Sequence, residues 1–440
     1  MKKIAFCIPT YNHPDLMEEF LYSYISYYGE KGMDVYVYDS SPGDETEILT
    51  RTFSEMADFV YYIRIPKEVP TGEKIYMIYQ KYGMKKEYDF IWNCGDGTRY
   101  SPQALEYLLS YVSLEYDIIH FNGMDSERIG DRIYEDCNAY FTDCAWHATL
   151  FGATLLNCHT MLKDVGWEQY KYRFLRKGYY DYNHISFFFN RMLELPQIKI
   201  RHISLKQGIC YNSQLKKQSS WYTRTFDVLC GDWINTIEAL PSCYTNKDQV
   251  IRKLGKYSVL GDEEAFLQKR IDSVYTEEIL KKYGNEILRL CDLTRERLEQ
   301  IAFMTPEQAQ REIPKVMERR RQEGIIEWYD FFAPYPAVFI YGAGIKAKKY
   351  ARFLADEKLI YDGFCVSGKT GNQDNIMGHP VYGIEELAEE QRKYGIYLAL
   401  NPVNRKQVML LLEEKGMAGH AFFSENLDKY ISKIYAGDNK

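Results

Sequence analysis

The 440-residue sequence contains no Cys-x-x-Cys pair, and none of its ten cysteines stands at zinc-finger spacing from a histidine. The cysteines, at 7, 94, 137, 144, 158, 210, 230, 243, 291 and 365, are scattered, and several lie inside apolar runs such as "IAFCIPT". That usage fits buried free thiols in a reducing compartment rather than a disulfide framework. No run of 18 apolar residues occurs, which excludes a spanning helix. Positive charge is not in excess: the formal net charge is −7, which argues against a general nucleic-acid binder. Internal repeats and low-complexity tracts are absent. The opening "MKKIAFCIPTYNHP" has two lysines and only a short apolar run before Pro9, the pattern of a first strand rather than of a signal peptide. A cytoplasmic protein is expected, with peripheral contact at the inner face of a membrane left open.

What is present is the composition of a globular protein, 46% hydrophobic and 27% charged. Its length corresponds to two to four domains at about 100–200 residues each. Tyrosine is abundant at 40, and its apolar ring with a hydroxyl suits surfaces that hold sugars, lipid head groups or partners; compositional bias is the alternative.

Three regions separate. Residues 1–240 alternate strand-like and helix-like patterns, from "KIAFCIP" and "MDVYVYDSS" through "FVYYIRIP" and "YDFIWNCGD" to "YDIIHFNG", with helical segments between them. This is the signature of an α/β fold with a mostly parallel sheet and helices on both faces. Residues 241–332 read as a charged helical connector with a helix start at Thr305-Pro306-Glu307. Its "KVMERRRQ" reads as a solvated helix face in preference to a phosphate or membrane contact. Residues 333–440 restart the alternation and form a second, small Rossmann-like α/β domain.

Ligands of parallel sheets bind beyond the C-terminal strand ends. Those ends in the first region are "PTYNHP", Asp39 with the "SSPGDE" that follows it, "PKEVPTGEK" and "NCGDGTRY". They bring Thr10, Asp39, Lys74, Asp96 and Arg99 to one rim. The set suits a nucleoside diphosphate. Asp39 can accept from a nucleobase or ribose, and backbone N–H groups near Thr10 and Tyr11 can approach the same moiety. Asp96 can hold a divalent cation, and Lys74 or Arg99 can offset phosphate charge. The competing reading is that these are turn residues and caps, which need no ligand.

"IAFCIPTYNHPDLMEEFLYSY" followed by "MDVYVYDSS" resembles the opening of glycosyltransferase family 2, and "FIWNCGDGTRYSPQALEYLL" lies where that family carries its D-x-D element. The resemblance covers residues 1–190. It implies a GT-A fold, a nucleotide-sugar donor, Mg²⁺ or Mn²⁺, and inversion at the anomeric carbon. By position, Pro9, Thr10, Tyr11 and Asp39 would contact the nucleotide, and Asp96 would stand in the metal and diphosphate element. Two departures matter: the second strand ends in Asp39-Ser40 rather than a double acid, and Thr98 replaces the last acid of the D-x-D element. Thr98 can offer the metal only a neutral oxygen. Asn93 lies on the same strand end.

The family's general base usually opens a helix after a glycine-containing region. "FGATLLNCHTMLKDVGWEQ" and then "GYYDYNHISFFFNRMLEL" resemble that arrangement, which makes Asp181 the candidate base and His184 a weaker one. An Asp before an apolar helix would also serve simply as an N-cap. Trp146 and His147 are candidates for an acceptor pocket, or for the core. Trp221 and Tyr222, in "QSSWYTRTFDVLCGDWINTIEALP", are candidates for a lid over donor or acceptor.

In the last region "VFIYGAGIKAKKYARFL" places Gly342, Gly344 and Ala347 between a strand and a helix, the context of a phosphate turn. The next strand ends in Ser367, not in the acid that would read an NAD ribose. "GFCVSG" and "GHPVYGIEEL" are similar to segments of the small nucleotide-binding-type domains attached to bacterial sugar-modifying enzymes. A module serving only assembly, including self-association, is the alternative.

The expectation is therefore a glycosyltransferase that moves a sugar, from a UDP-sugar as the leading donor class, to a hydroxyl of a cell-surface glycan or lipid-linked acceptor in polysaccharide biosynthesis. The rivals are an NAD(P)-dependent nucleotide-sugar oxidoreductase or epimerase, and a non-catalytic sugar-binding or assembly protein. The absence of a Tyr-x-x-x-Lys pair in the last region counts against the oxidoreductase.

Overall fold

The computed structural model describes residues 3–435 apart from 68, 85–86, 123–128, 177–179, 205–209, 214, 216–220, 370 and 390–393. Its contacts divide the chain into two compact units, one ending at Pro306 and the other formed essentially by Glu307–Lys440.

The first unit is built on β1 (Ile4–Thr10), whose seven residues are all buried. Around it lie β2 (Met33–Asp39), β3 (Val60–Arg64), β4 (Phe90–Asn93), β5 (Thr98–Tyr100), β6 (Ile118–Phe121), β7 (Arg132–Tyr134), β8 (Thr154–Asn157), β9 (Ile200–Ile203) and β10 (Cys210–Asn212). Eight of these form one sheet in the order β3-β2-β1-β4-β8-β6-β9-β7, and β10 pairs with β5. β3, β2, β1 and β4 run parallel. β8 enters antiparallel between β4 and β6, so this half of the sheet is mixed, a feature the sequence reading did not anticipate.

Alternation along β2 shows how the two faces are covered. Met33, Val35 and Val37 join Phe6, Ile8 and Trp92 in a core closed by Met17, Phe20 and Leu21 of the helix Pro14–Ser23 and by Leu105 and Leu108 of the helix Pro102–Ser110. Tyr36 and Tyr38 point to the opposite face, where they meet Tyr82 of the helix Thr71–Met84. A strand buried on both sides reads as a continuous apolar run, as β1 does. Each covering helix has a local start signal. Pro14 occupies a first-turn position, and the Ser101 hydroxyl accepts from the Ala104 N–H at 3.2 Å.

The helices expected over 241–332 divide between the units. Lys247–Lys256, Glu263–Ile271, Glu277–Leu290 and Arg295–Phe303 belong to the first, and Tyr244 just before them donates to the Phe189 carbonyl at 2.5 Å. From Glu307 the long helix Pro306–Phe332 belongs to the second. Its basic run is only partly solvated: Arg320 is buried, and Arg321 pairs with Glu318 and Glu357.

The second unit holds β11 (Val338–Tyr341), β12 (Gly363–Val366), β13 (Asn375–Ile376), β14 (His379–Gly383), β15 (Gly395–Leu398) and β16 (Ala421–Phe422) in the order β13-β14-β12-β11-β15-β16. All its pairings are parallel except β13 with β14. Trp328, Phe332, Tyr350, Tyr397 and Leu427 fill one of its cores.

In the first unit the helix Lys247–Lys256 approaches Glu277–Leu290 so closely that a Cβ on Gly255 would lie 1.9 Å from the Leu290 carbonyl oxygen. Backbone cannot yield as a side chain would. Gly255→Ala is therefore expected to lower the unfolding free energy by at least about 2 kcal/mol in denaturant titrations. Unchanged stability would show that this helix pair is not packed as described.

Candidate functional site

Parallel pairing of β1 with β2 and β4 puts Thr10, Asp39 and the turn after Asn93 at one edge of the sheet. Asp96 is the centre of what collects there. The Thr10 hydroxyl donates to Asp96 Oδ2 at 3.1 Å, and Nδ1 of His13 approaches the same oxygen at 2.7 Å. Lys74, in the first turn of the helix Thr71–Met84, donates to the Thr10 carbonyl at 2.6 Å and lies over the Tyr11 ring at 5.7 Å. Burial pushes the Lys74 ammonium down to about 8, against the opposing pull of the Asp39 and Asp96 carboxylates. A cation, a carboxylate and an imidazole thus share one corner, in which Lys74 and Asp96 are buried and the His13 ring is partly open to solvent.

Asp39 occupies the expected strand end but is fully buried. Its Oδ1 accepts from the backbone N–H and hydroxyl of Ser41 at 2.8 and 2.5 Å, and its Oδ2 from Tyr62 at 2.9 Å and Arg64 at 3.0 Å. The Ser41 hydroxyl in turn accepts from the Asn12 N–H at 2.7 Å, which joins the loops after β1 and β2. Asn12 has φ of 56°, a left-handed conformation that Asn tolerates. Asp39 therefore organises the rim, while Tyr62 and Arg64 are the groups nearer solvent.

Arg99 does not join the rim. Its side chain is 1% exposed, and all five of its N–H groups are used inside the fold. Nε and Nη2 donate to Glu19 at 3.1 and 2.8 Å, Nη2 also to the Leu16 carbonyl at 2.7 Å, and Nη1 to the carbonyls of Asp96 and Thr98 at 2.7 and 3.0 Å. Arg99 fastens the Asp96 turn to the helix Pro14–Ser23, a task for a planar fork rather than a phosphate-facing charge. Thr98 begins β5 opposite Asn212 and is half-buried, and Pro9 is held within β1. Asn93 is buried at the end of β4.

Asp181 lies in the short 3-10 turn Tyr180–Tyr182 before the helix Asn183–Glu194. It does not cap that helix, whose N-cap is Tyr182 with no side-chain bond. Its carboxylate receives Arg224 at 3.1 Å, and its backbone N–H donates to Asp232 at 3.0 Å. Burial, then the nearby Asp181, raises the Asp232 carboxyl to about 6. The turn abuts the Lys74 helix, since the Asn183 side chain donates to the Gly72 carbonyl at 2.7 Å. Candidate base and candidate phosphate-side lysine therefore sit on abutting backbone.

Several expected contacts fall elsewhere. His184 is buried beside Phe151 and Phe188, and burial holds its ring neutral with its pKa down at about 3. Trp146 and His147 are 2% and 3% exposed. The Trp146 indole donates to the Asp143 carbonyl, so neither ring offers a face to an acceptor. Tyr222 bonds to Asp272 beneath the Lys269 ammonium. Trp221 is half-buried at the start of that turn. In that segment Arg224 and Asp232, not the aromatics, reach Asp181. His13, Ser41, Tyr62 and Arg64 were missed by sequence reasoning, although His13 stands in the same loop as Thr10.

In the second unit Gly342 adopts φ of 121° directly after β11, a conformation that only glycine adopts without strain. Gly344 precedes the helix Ile345–Asp356, and Ala347 lies on the buried face of its first turn. Ser367 bonds to the Tyr341 hydroxyl at 2.7 Å.

No protein-family model matches the sequence, and no curated protein matches it. Among solved structures, S. aureus TarS superposes with a TM-score of 0.40 at 12% identity, over 68% of this chain and 55% of that one. The chain thus spans little more than half the length of that protein. TarS 1-349 in complex with UDP-GlcNAc gives 0.36 at 10% identity, over 68% and 91%. The mannosyltransferase PcManGT from Pyrobaculum calidifontis, in complex with GDP-Man and Mn²⁺, gives 0.37 at 11% identity, over 66% and 85%. At these scores each likeness is partial. Among the described residues no helix is long and apolar enough to cross a membrane.

The clamp at Arg99 predicts that Arg99→Lys, which keeps the charge but not the fork, lowers the unfolding free energy by about 3 kcal/mol through unpaired carbonyls and Glu19. Wild-type stability combined with weakened anion binding would instead assign Arg99 to the rim.

Proposed function

We propose that the protein is a glycosyltransferase that moves a sugar from a nucleoside-diphosphate donor, with UDP-sugars the first class to test, to a hydroxyl of a glycan or lipid-linked acceptor with inversion. The observation that carries this reading is the strand-end corner in which Thr10, His13 and Lys74 surround Asp96, with Asp181 on the abutting turn. A diphosphate needs positive charge in a site of low water content, and Lys74 supplies it. Tyr62 and Arg64 in β3 offer hydroxyl and guanidinium groups to the nucleoside end.

The Asp96 turn offers one carboxylate and the Thr98 hydroxyl, with the His13 imidazole 2.7 Å from Asp96 Oδ2; its two oxygen groups fit a hard divalent cation held largely by phosphate oxygens and water. Such a cation, Mg²⁺ or Mn²⁺, would neutralise charge on the departing diphosphate. Asp96 and Thr98 would hold it.

In the transfer, Asp181 accepts the proton of the acceptor hydroxyl as its oxygen bonds to the anomeric carbon. The bond from that carbon to the donor phosphate oxygen breaks, and the nucleoside diphosphate leaves with the electron pair. Arg224 orients the Asp181 carboxylate, and Asp232 fixes its backbone. For the second unit we propose a phosphate or nucleotide contact at the Gly342–Gly344 turn. A sugar-nucleotide-binding protein without turnover is the second reading, favoured by the single carboxylate of the Asp96 turn.

A hydrolysis and transfer screen across UDP-, GDP-, CMP- and dTDP-sugars, with and without Mn²⁺, tests the proposal. Turnover of at least one donor is expected, and turnover of none by folded protein would leave the binding reading. Asp96→Ala is expected to cut transfer at least about 100-fold with the fold intact, and wild-type activity in that variant would remove Asp96 from the mechanism. Asp181→Asn is expected to lose transfer while keeping donor affinity. Loss of donor binding in Asp181→Asn would show that Asp181 is not the base.

A further inference from the structure

Three histidines and a cysteine, none of them given a part in the proposed transfer, lie together in the core of the first unit. His120 on β6 and His202 on β9 are direct partners in the parallel ladder and project to the same face. Their Nδ1 atoms are 3.0 Å apart, and Cys144 Sγ, at the end of the helix Cys137–Cys144, lies 4.0 Å from His202 Nδ1. One ligand atom from each of the three falls within 4.8 Å of the others, and all three residues are buried.

The outer partner of His202 fixes its tautomer, and that of His120 allows two. His202 Nε2 approaches the Ile129 carbonyl at 3.2 Å. A carbonyl only accepts, so Nε2 carries the proton and Nδ1 presents a lone pair. His120 Nε2 lies 3.0 Å from His147 Nδ1. Donation from His120 to His147 leaves His120 Nδ1 as a second lone pair facing the first. Two lone pairs at that separation repel unless a cation lies between them. Outer hydrogen bonds that set the tautomer in this way are the usual support of metal-bound imidazoles.

We propose that His120, His202 and Cys144 form a buried binding site for a borderline transition metal ion, Zn²⁺ in the first instance. Zinc takes imidazole at ~2.0–2.1 Å and thiolate at ~2.3 Å, so a tetrahedral shell has N···N edges of about 3.3 Å and N···S edges of about 3.6 Å. The observed 3.0 and 4.0 Å lie close to these values, and the remaining edge, between His120 and Cys144 and within 4.8 Å, has to shorten by up to about 1 Å through side-chain rotation. Tyr134 completes the surroundings. Its hydroxyl donates to Asp143 at 2.8 Å and accepts from the Cys144 thiol at 3.8 Å, which makes its oxygen the polar group beside the sulfur. Binding replaces the thiol proton, which leaves as the sulfur–metal bond forms. The ion would staple β6, β9 and the helix Cys137–Cys144 together. The thiolate donor and the second imidazole separate this site from the carboxylate corner at Asp96.

The metal-free competitor is a neutral chain in which His147 donates to His120 and His120 to His202. The full chain, incubated with ZnCl₂ in excess Mg²⁺ and then gel-filtered, separates the two by metal analysis. About one equivalent of zinc per chain is expected to remain. Replacement by Co²⁺ is expected to give a thiolate-to-cobalt charge-transfer band, and Cys144→Ser is expected to lose both band and metal. His120→Asn serves the same purpose should Cys144→Ser not fold. Folded wild-type protein that retains no zinc, or zinc retained equally in the variants without the band, would overturn the site in favour of the histidine chain.

Discussion

Pairing of β1 on both sides is the constraint from which the rest of the first unit follows. Its seven residues are buried and paired with β2 along one edge, and Ile4–Cys7 pair with β4 along the other. Parallel pairing aligns the C-terminal ends, so Thr10 meets Asp39 in register and the turn after Asn93 opens beside them. Chain segments 86 residues apart then supply one corner, as in the Thr10–Asp96 contact. Because the β1–β2 ladder holds Thr10 and the Arg99 clamp holds the Asp96 turn, the polar side chains around Asp96 have little freedom to rearrange, the preorganisation that the proposed diphosphate contact calls for.

The corner also illustrates how burial sets chemistry. Lys74 would be an ordinary ammonium in water. Enclosed between the β1 end and its own helix, it loses hydration, and the Asp39 and Asp96 carboxylates restore only part of the charged form's stability. An arriving diphosphate would favour the charged lysine further. Arg99 is buried too, but its charge answers Glu19 and the backbone carbonyls of Leu16, Asp96 and Thr98. The two cations, equivalent on paper, are assigned different tasks by the geometry of their donors.

That difference marks where the sequence was and was not legible. Strands β1 to β4 and β6 were readable because apolar runs bounded by turn residues leave few alternatives. Thr10, Lys74 and Asp96 followed from reading strand ends alone. β8 was not readable as an antiparallel insertion, because the four residues Thr154-Leu155-Leu156-Asn157 carry no sign of their direction. Arg99 pointed inward because its acceptors are mainly backbone carbonyls, which no residue pattern reveals. Trp146 and His184 looked like site residues by type, yet neighbouring aromatics bury both. The partnership of Asp181 with Asp232 joins residues 51 apart through a backbone N–H, and only the folded chain displays it.

The central claim is that the Lys74 ammonium beside Asp96 receives the diphosphate of a sugar nucleotide. Calorimetric titration of uridine diphosphate into the folded protein, with Mg²⁺ present and across a pH series, tests it most directly. Affinity is predicted to hold steady below about 8 and to fall above it as Lys74 loses its proton, and Lys74→Met should bind weakly at every pH. No binding at neutral pH, or an affinity in the wild type that is flat through this range, would contradict it.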